Sequence, residues 1–279
     1  MIHIGKTNTL KIVKQQGADF YLGDETSNKI LLVDKAPAHC QLNDSLEVFV
    51  YVDTDGHLAA TRKIPLAQVD EIAWLPVVSV NYTGAFLAWG LPKDLLVPFS
   101  EQHLEMEVGH SYLVKLFLDE KSRVVATTKI NRFLAETSVY FKAGEKVSLL
   151  IAEKTDLGIK AIINHTHWGM LYHNELFQTV QIGQKLDGYI KQIREDLKID
   201  LTLHQPGYGK VEPLTETILA KLQANNGVLM LSDKSPPEAI YAAFGVSKKA
   251  FKQAIGALYK DHKIILDKTA IKLVNPQSR

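Results

Sequence analysis

The fold is indicated by one stretch of the chain, which reads Gly84-Ala85-Phe86-Leu87-Ala88-Trp89-Gly90-Leu91-Pro92-Lys93-Asp94-Leu95-Leu96-Val97-Pro98. Two apolar runs, each long enough for a short strand, flank a turn that is rich in Gly, Pro and Asp. The opening of this stretch recurs as Gly17-Ala18-Asp19-Phe20-Tyr21-Leu22 and, more loosely, as Gly158-Ile159-Lys160-Ala161-Ile162-Ile163. The offsets between the three glycines are 67 and 74 residues. Self-similarity at such a spacing indicates a repeated structural unit.

Each unit contains five short segments of strand-forming residues. The clearest, Lys198-Ile199-Asp200-Leu201-Thr202-Leu203, alternates polar and apolar residues with the period of a half-buried strand. Asp53-Thr54-Asp55-Gly56 and Asp119-Glu120-Lys121-Ser122 are predicted to be turns between the fourth and fifth strands of their units. Because closing a sheet removes its exposed edges, five strands in so short a segment predict a small barrel of the OB type.

The last 71 residues have a different pattern, with helical spacing. Residues 215–222 predict a first helix. Ser235 is predicted to cap a second helix that stops at Gly245, and Ser247 is predicted to cap a third. Residues 264–274 then predict a β-hairpin. This order of elements is typical of a winged helix-turn-helix.

Composition and charge narrow the class of protein. Hydrophobic residues make up 46% of the chain, so each part can form a packed core. The formal net charge is +1, which excludes a polybasic chain, but residues 209–279 alone carry a net +5. No segment has the apolar length of a signal peptide or a membrane span, and the single cysteine, Cys40, cannot form an internal disulfide. We expect a soluble, cytoplasmic protein with no membrane partner.

The second unit closely resembles an S1 RNA-binding domain through the stretch quoted above. The third resembles one through Gly169-Met170-Leu171-Tyr172-His173-Asn174-Glu175-Leu176 and through residues 193–203, and the first is similar but degenerate. Together with Ser247-Lys248-Lys249-Ala250-Phe251-Lys252-Gln253-Ala254-Ile255-Gly256-Ala257-Leu258-Tyr259-Lys260, the three units resemble the bacterial conserved virulence factor B family throughout the chain. The resemblance implies a cytoplasmic RNA-binding regulator without known catalytic residues.

The predicted fold is therefore mainly β with a small α+β C-terminal domain. Three tandem five-stranded, OB-type (S1-like) barrels are followed by a winged helix-turn-helix. The predicted domains are a degenerate barrel over residues 1–68, barrels over residues 69–137 and 138–208, and a winged helix domain over residues 209–279.

An S1-type barrel binds single strands on a sheet face, where aromatic rings stack on bases and cations contact phosphates. The resemblance places Phe86 at the stacking position, while Lys160 and Asp19 occupy that position in the third and first units. Phe99 and Lys115 are further candidates for the face of the second barrel. The predicted nucleic-acid contacts are Phe86, Trp89, Lys93, Lys160, Trp168, Tyr172, His173, Lys191, Arg194, Lys198, Lys248, Lys249, Lys252 and Lys260.

Structural roles compete with these interpretations. Trp168 could pack one barrel against another, and the lysines around Lys249 could form a solvated helix face. His165 and His167, two residues apart, would share one face of a strand, but the motif holds no third metal ligand. We expect no catalytic residue, no cofactor and no metal.

The favoured hypothesis is a non-enzymatic protein that binds single-stranded RNA and acts as a post-transcriptional regulator. The alternative is a DNA-binding transcriptional regulator that uses the winged helix. Such regulators normally dimerise to match two half-sites, and no dimerising helix is evident in the sequence. A nuclease is disfavoured because the acidic residues are scattered over predicted turns.

Overall fold

A computed structural model describes residues 2–23, 30–34, 36–37, 40–173, 176, 179–203 and 214–274. The chain divides into two compact units, Met1–Ala135 and Glu136–Arg279. The N-terminal unit contains two barrels. The C-terminal unit contains a third barrel and a helical domain.

In the described part of the chain, each barrel is built from five strands. The first has β1 (Lys6–Gln16), β2 (Asp19–Gly23), β3 (Ile30–Leu32), β4 (Ser45–Val52) and β5 (Leu58–Thr61). The second has β6 (Ile72–Asn81), β7 (Gly84–Leu87), β8 (Leu95–Pro98), β9 (Ser111–Leu118) and β10 (Val124–Thr127), with 3₁₀ turns at Phe99–Glu101 and Ile130–Arg132. The third has β11 (Lys146–Lys154), β12 (Gly158–Ile163), β13 (His167–Tyr172), β14 (Lys185–Ile193) and β15 (Ile199–Thr202).

The three barrels share one topology. The first closes in the order β1-β2-β3-β5-β4 and the third in the order β11-β12-β13-β15-β14. The pairs β3/β5 and β13/β15 are parallel, and the other paired strands are antiparallel. In the second, the sheet runs β10-β9-β6-β7-β8, and its outer strands β8 and β10 lie side by side. The predicted three five-stranded barrels are confirmed.

Two repeat glycines are required by the close approach of neighbouring strands. A Cβ on Gly84 would lie 2.2 Å from the carbonyl oxygen of Val97, and a Cβ on Gly158 would lie 2.1 Å from that of Leu171. Since real Cβ atoms do not approach backbone this closely, any side chain here would push the second and third strands of the barrel apart.

A residue of the first barrel is buried in the hydrophobic core of the second barrel. Phe49 of β4 is 1% exposed and belongs to the same buried cluster as Leu87 and Leu116 of the second barrel. At the barrel junction, the backbone N–H of Val69 donates to the carbonyl of Gly5 at 2.9 Å. This shared packing holds the first barrel against the second.

The C-terminal domain contains three helices and a small sheet among its described residues. They are α1 (Leu214–Ala224), β16 (Val228–Leu229), α2 (Pro237–Phe244), α3 (Lys248–Lys260), β17 (Ile264–Leu266) and β18 (Ile271–Leu273), with the sheet order β16-β18-β17. Phe251, Ile255 and Leu258 of α3 are buried in the core of this domain, as predicted. The winged helix fold is confirmed, with β16 as an additional strand that the sequence did not reveal.

Two of the three predicted helix ends in the winged helix domain are confirmed, and one is wrong. The Ser247 hydroxyl accepts a hydrogen bond from the backbone N–H of Ala250 at 3.2 Å, and Gly245 ends α2 in the left-handed conformation, both as predicted. The prediction that Ser235 caps α2 is wrong. Its hydroxyl accepts from the N–H of Ser232, and the helix begins only at Pro237, because proline favours the first helical position.

The predicted domain boundaries near residues 68 and 137 fall between strands, and the boundary at 208 lies outside the described residues. All three stay predictions. None of the helices formed by the described residues has the length and apolar character needed to cross a membrane.

Candidate nucleic-acid interface

The strand registers identify equivalent positions in the three barrels. The first strand of each barrel has one irregularity in its pairing, between Ile12 and Lys14, between Val77 and Ser79, and between Ile151 and Glu153. The residue that follows the irregularity pairs with a residue of the second strand, which in turn pairs with a residue of the third strand. The resulting trios are Lys14, Tyr21 and Leu31; Ser79, Phe86 and Leu96; and Glu153, Lys160 and Met170.

This register supports one sequence alignment and corrects another. Lys160 occupies the position of Phe86, as the resemblance implies. In the first barrel the equivalent residue is Tyr21, so the assignment of Asp19 to that position is wrong. Asp19 begins β2 and corresponds to Gly84, whereas Gly17 lies in the preceding turn with φ +61°. The ammonium of Lys14 lies 5.4 Å from the centre of the Tyr21 ring.

The third barrel carries an open cavity of about 490 Å³, which we term the third-barrel cleft. Lys160 is one of the residues that line it, and its ammonium is 4.2 Å from the ring centre of Trp168 and 3.1 Å from a carboxylate oxygen of Glu136. Trp168 is 6% exposed. The lysine therefore covers the indole by a cation–π contact, and Trp168 contributes to the cleft from beneath Lys160.

Tyr172 and Arg194 form the second group in the third-barrel cleft. The guanidinium of Arg194 donates to the Tyr172 hydroxyl at 3.3 Å and lies 3.2 Å from the carboxylate of Asp196. Tyr172 is half-buried, and Lys198 lines the same cavity. Five predicted residues thus converge on one surface. They are Lys160, Trp168, Tyr172, Arg194 and Lys198.

Two predicted residues of this barrel lie outside the cavity lining. His173 follows the end of β13, and its Nε2 atom is 3.0 Å from the carbonyl oxygen of Thr155. Lys191 is a half-buried residue of β14. Neither residue is among those that line the third-barrel cleft.

Sequence reasoning missed the acidic side of the third-barrel cleft. Glu136, Glu153, Asp156 and Asp200 line it together with the cations. Asp200 is only 4% exposed and accepts a hydrogen bond from the side-chain amide of Gln192 at 2.7 Å. The alternation over residues 198–203 was a usable signal, because it places Asp200 on the same strand face as Lys198. Carboxylates accept hydrogen bonds from base amino groups, while cations contact phosphates.

The second barrel places its predicted contacts differently. Phe86 is half-buried and Lys93 is exposed. Trp89 is 5% exposed, its indole N–H donates to the carbonyl of Lys93 at 2.6 Å, and its ring meets Phe49 edge-on at 5.7 Å. Trp89 therefore packs between the barrels, and its predicted role as a nucleic-acid contact stays a prediction.

Lys115, considered for the same face of the second barrel, is also buried. Its ammonium donates to the backbone carbonyl of Asp70 at 2.6 Å, and burial lowers its pKa. Its charge is therefore turned into the protein, whereas Phe99 is 46% exposed.

The third helix of the winged helix domain presents its predicted lysines to solvent. Lys249, Lys252 and Lys260 are exposed and Lys248 is half-buried, while the opposite face is packed into the core. The Lys252 ammonium lies 3.9 Å from the carboxylate of Asp233, a distance at which an exposed pair contributes little. The helix therefore offers a solvent-exposed row of cations.

The interpretation of the two histidines as strand neighbours is wrong. Asn164 and His165 both have positive φ, at 47° and 61°, and form the turn between β12 and β13. His167 begins β13 and packs edge-on against Phe141 at 5.1 Å. Burial lowers the pKa of His167, which favours the neutral ring.

Comparisons with known proteins agree with this architecture. Residues 4–63 and 71–129 match the S1 domain, and residues 216–273 match the CvfB-like winged helix domain. The first barrel, which resembles a degenerate copy, is thus among the matched regions. These matches support a nucleic-acid-binding protein.

Among similar proteins, the uncharacterized protein YitL of Bacillus subtilis (strain 168) is 30% identical, with 93% of this chain and 90% of the relative covered. Conserved virulence factor B of Staphylococcus epidermidis (strain ATCC 12228) is 24% identical, with 92% and 90% covered. A solved multidomain protein with nucleic acid binding domains from Streptococcus pneumoniae TIGR4 is 24% identical, with a TM-score of 0.40 and 97% and 98% covered. With its S1 domains and its CvfB-like winged helix domain, the chain belongs to the conserved virulence factor B family.

Proposed function

We propose that this protein binds single-stranded RNA through the third-barrel cleft and the exposed lysines of α3, without catalysis, as a cytoplasmic post-transcriptional regulator. The observation that carries the proposal is the convergence of Tyr172 with Lys160, Arg194 and Lys198 on one open cavity. An aromatic ring beside cations is the combination that binds an unpaired base and its phosphates.

Single-stranded RNA fits the third-barrel cleft better than a duplex does. Its polar groups lie within a concave surface, where a splayed base can enter but the stacked bases of a helix cannot. The carboxylates of Glu153 and Asp200 in this cavity would repel a continuous phosphate backbone, but they can accept hydrogen bonds from a base edge.

The alternative is a DNA-binding transcriptional regulator. The observation that favours it is the exposed row of lysines on α3, since the corresponding helix of a helix-turn-helix enters the DNA major groove. This surface carries the lysines and the exposed Tyr259 on a helix, whereas the third-barrel cleft brings its aromatic and basic side chains together in a cavity.

Mobility shifts with the full chain distinguish the two functions. Single-stranded RNA, single-stranded DNA and duplex DNA of equal length are compared at one salt concentration, because such affinities depend strongly on salt. We expect the tightest binding to single-stranded RNA. Tighter binding to duplex DNA would contradict the proposal and favour the alternative.

A charge variant then tests the cleft itself. Arg194→Ala combined with Lys198→Ala should weaken RNA binding about tenfold or more, as expected when two phosphate contacts are lost. Lys142→Ala is the matched control, because Lys142 is an exposed residue of the same unit outside the cleft. Equal affinities of the two variants would remove the third-barrel cleft from the interface.

A further inference from the structure

A second cavity, of about 390 Å³, lies between the first and second barrels of the N-terminal unit. We term it the interbarrel cleft. Asp34, Tyr51 and Asp53 line it from the first barrel, and Phe86 and Lys93 line it from the second. Its volume falls in the range of about 300–1,000 Å³ that is typical of small-ligand sites.

Two half-buried aromatic rings, one from each barrel, line this cavity together with the buried Trp89. Tyr51 is half-buried and stacks on the buried ring of Phe49, with 6.2 Å between ring centres and 22° between ring planes. Phe86 is half-buried on the outer face of β7. Because Phe49 and Tyr51 both pack against the buried cluster of the second barrel, the position of Tyr51 is set by packing. Such rings favour a planar aromatic guest.

Two carboxylates flank Tyr51 and are held by the protein. One oxygen of Asp34 accepts from the Thr61 hydroxyl at 2.5 Å and from the backbone N–H of Arg62 at 2.7 Å. One oxygen of Asp53 accepts from two backbone N–H groups of the following turn, each at 2.9 Å. An ionised carboxylate has about four acceptor sites, so both groups keep capacity for a guest.

The protonation states of these groups suit hydrogen bonding to a neutral guest. Backbone hydrogen bonds from the turn lower the pKa of Asp53, so its carboxylate stays ionised at neutral pH. Burial, together with the nearby Asp34 and Asp53, raises the pKa of Tyr51, so its phenol stays neutral. The cleft thus combines fixed acceptors with a phenol that can donate.

The charge of the cavity disfavours a phosphate inside it. Asp94 adds a third carboxylate to the lining, and the guanidinium of Arg123 is engaged by Asp119 at 2.7 Å. Lys93 is exposed and lies next to Asp94. A guest must therefore bring N–H donors to the carboxylates. Guanine presents two adjacent donors, N1–H and the 2-amino group, whereas uracil presents one.

We propose that the interbarrel cleft binds a guanine base, with its ring against Tyr51 and Phe86 and its N–H donors on the carboxylates beside Tyr51. The base is supplied by a free nucleoside or by an unpaired position in RNA. Only the second source rests on the proposed function.

The test titrates the full chain with guanosine, inosine and uridine, followed by ligand-observed NMR. Guanosine should bind at least about tenfold more tightly than uridine, since a two-point hydrogen-bonded contact discriminates between bases by that order. Inosine lacks the 2-amino group and should fall between them. A parallel arm compares an RNA octamer of uridines with one that carries a single central guanosine, and a preference confined to this arm identifies RNA as the source.

The decisive variant combines Asp34→Asn with Asp53→Asn, which keeps an acceptor oxygen for the hydroxyl and the turn but removes both charges. It should lose the guanosine preference and keep the affinity for the uridine octamer. Asp55→Asn, an exposed position in the same turn, is the matched control. Phe86→Leu tests the same preference if the double variant does not fold, and Phe133→Leu is its control, because Phe133 is exposed and outside the lining of the interbarrel cleft.

The two proposals fail separately. Absence of binding to the uridine octamer would contradict RNA binding by the third-barrel cleft, while the nucleoside titration would still test the interbarrel cleft. Equal binding of guanosine and uridine, in the nucleoside arm and in the octamer arm alike, would overturn the guanine site. An unchanged preference in the Asp34/Asp53 variant would overturn it as well.

Discussion

Truncation of Tyr172 to alanine separates stacking from packing in the third barrel. The side chain is half-buried at the end of β13, and its hydroxyl accepts a hydrogen bond from Arg194. Base–aromatic stacking contributes about 1–3 kcal/mol per base, so Tyr172→Ala should weaken RNA binding by about 5- to 150-fold. A fully buried aromatic residue would instead lose about 3–5 kcal/mol of folding stability on truncation. Because the Tyr172 side chain is partly exposed to solvent, we expect the melting temperature of the Tyr172→Ala variant to be close to that of the wild type.

Two further variants assign this effect. Tyr172→Phe keeps the ring and removes the hydroxyl, so it should retain most of the affinity if stacking dominates. Tyr140→Ala is the matched control, because Tyr140 is 85% exposed in the same unit and lies outside the third-barrel cleft. Fluorescence anisotropy with labelled single-stranded RNA gives the affinities, and thermal melting gives the stabilities.

One pattern of results would refute this reasoning. A large fall in melting temperature, with wild-type affinity in the protein that remains folded, would make Tyr172 a packing residue. The cleft would then bind RNA through Lys160, Arg194 and Lys198. His173→Ala should cost less affinity than Tyr172→Ala, since His173 is not among the residues that line the cavity and its imidazole contacts the carbonyl of Thr155.

Three other predictions concern α3, the barrel junction and the half-buried His167. Lys249→Glu with Lys252→Glu should weaken RNA binding and reduce the slope of log K against log salt by about 0.7 per lost phosphate contact, and an unchanged slope in salt titrations would exclude this face. Trp89→Ala should lower the free energy of unfolding of the N-terminal unit by about 3–5 kcal/mol, measured by urea denaturation, because a buried ring is removed. Burial lowers the pKa of His167 below 6.5 in the folded protein. As the pH falls through 6.5, the unfolded state therefore binds more protons than the folded state. The stability of the wild type relative to His167→Gln should therefore decrease from about pH 7.5 to about pH 5, and a constant difference would contradict a lowered pKa of the half-buried ring.

Local patterns in the sequence predicted the elements whose causes are local. Ser247 caps α3 through its own hydroxyl, and the left-handed Gly245 ends α2, so both signals need no tertiary contact. The period-two alternation over residues 198–203 predicts β15 for the same reason. The prediction of Ser235 as a helix cap failed because two prolines follow it, Pro236 and Pro237, and the helix begins at the second of them.

The equivalence of stacking positions needed the strand register. An irregularity in β1 decides which side chain of β2 stands opposite Lys14, and a one-residue change in register moves a side chain to the other face. The sequence repeat suggested that the barrels be aligned on their glycines. Gly17, however, lies in a turn, whereas Gly84 lies where two strands approach closely. Tyr21 could therefore be found only from the paired strands.

The repeated barrels, the winged helix and most cations of the third-barrel cleft could be predicted from the sequence, because strand periodicity, capping residues and module order are local or repeated properties. Three features needed the folded structure: the burial of Trp89 against Phe49, the presence of Asp200 in the third-barrel cleft, and the cavity between two barrels that Tyr51 and Phe86 both line. The reason is physical: burial and juxtaposition depend on which surfaces pack together across tens of residues of chain, and an aromatic or acidic residue has the same local pattern whether it faces a neighbouring barrel or solvent.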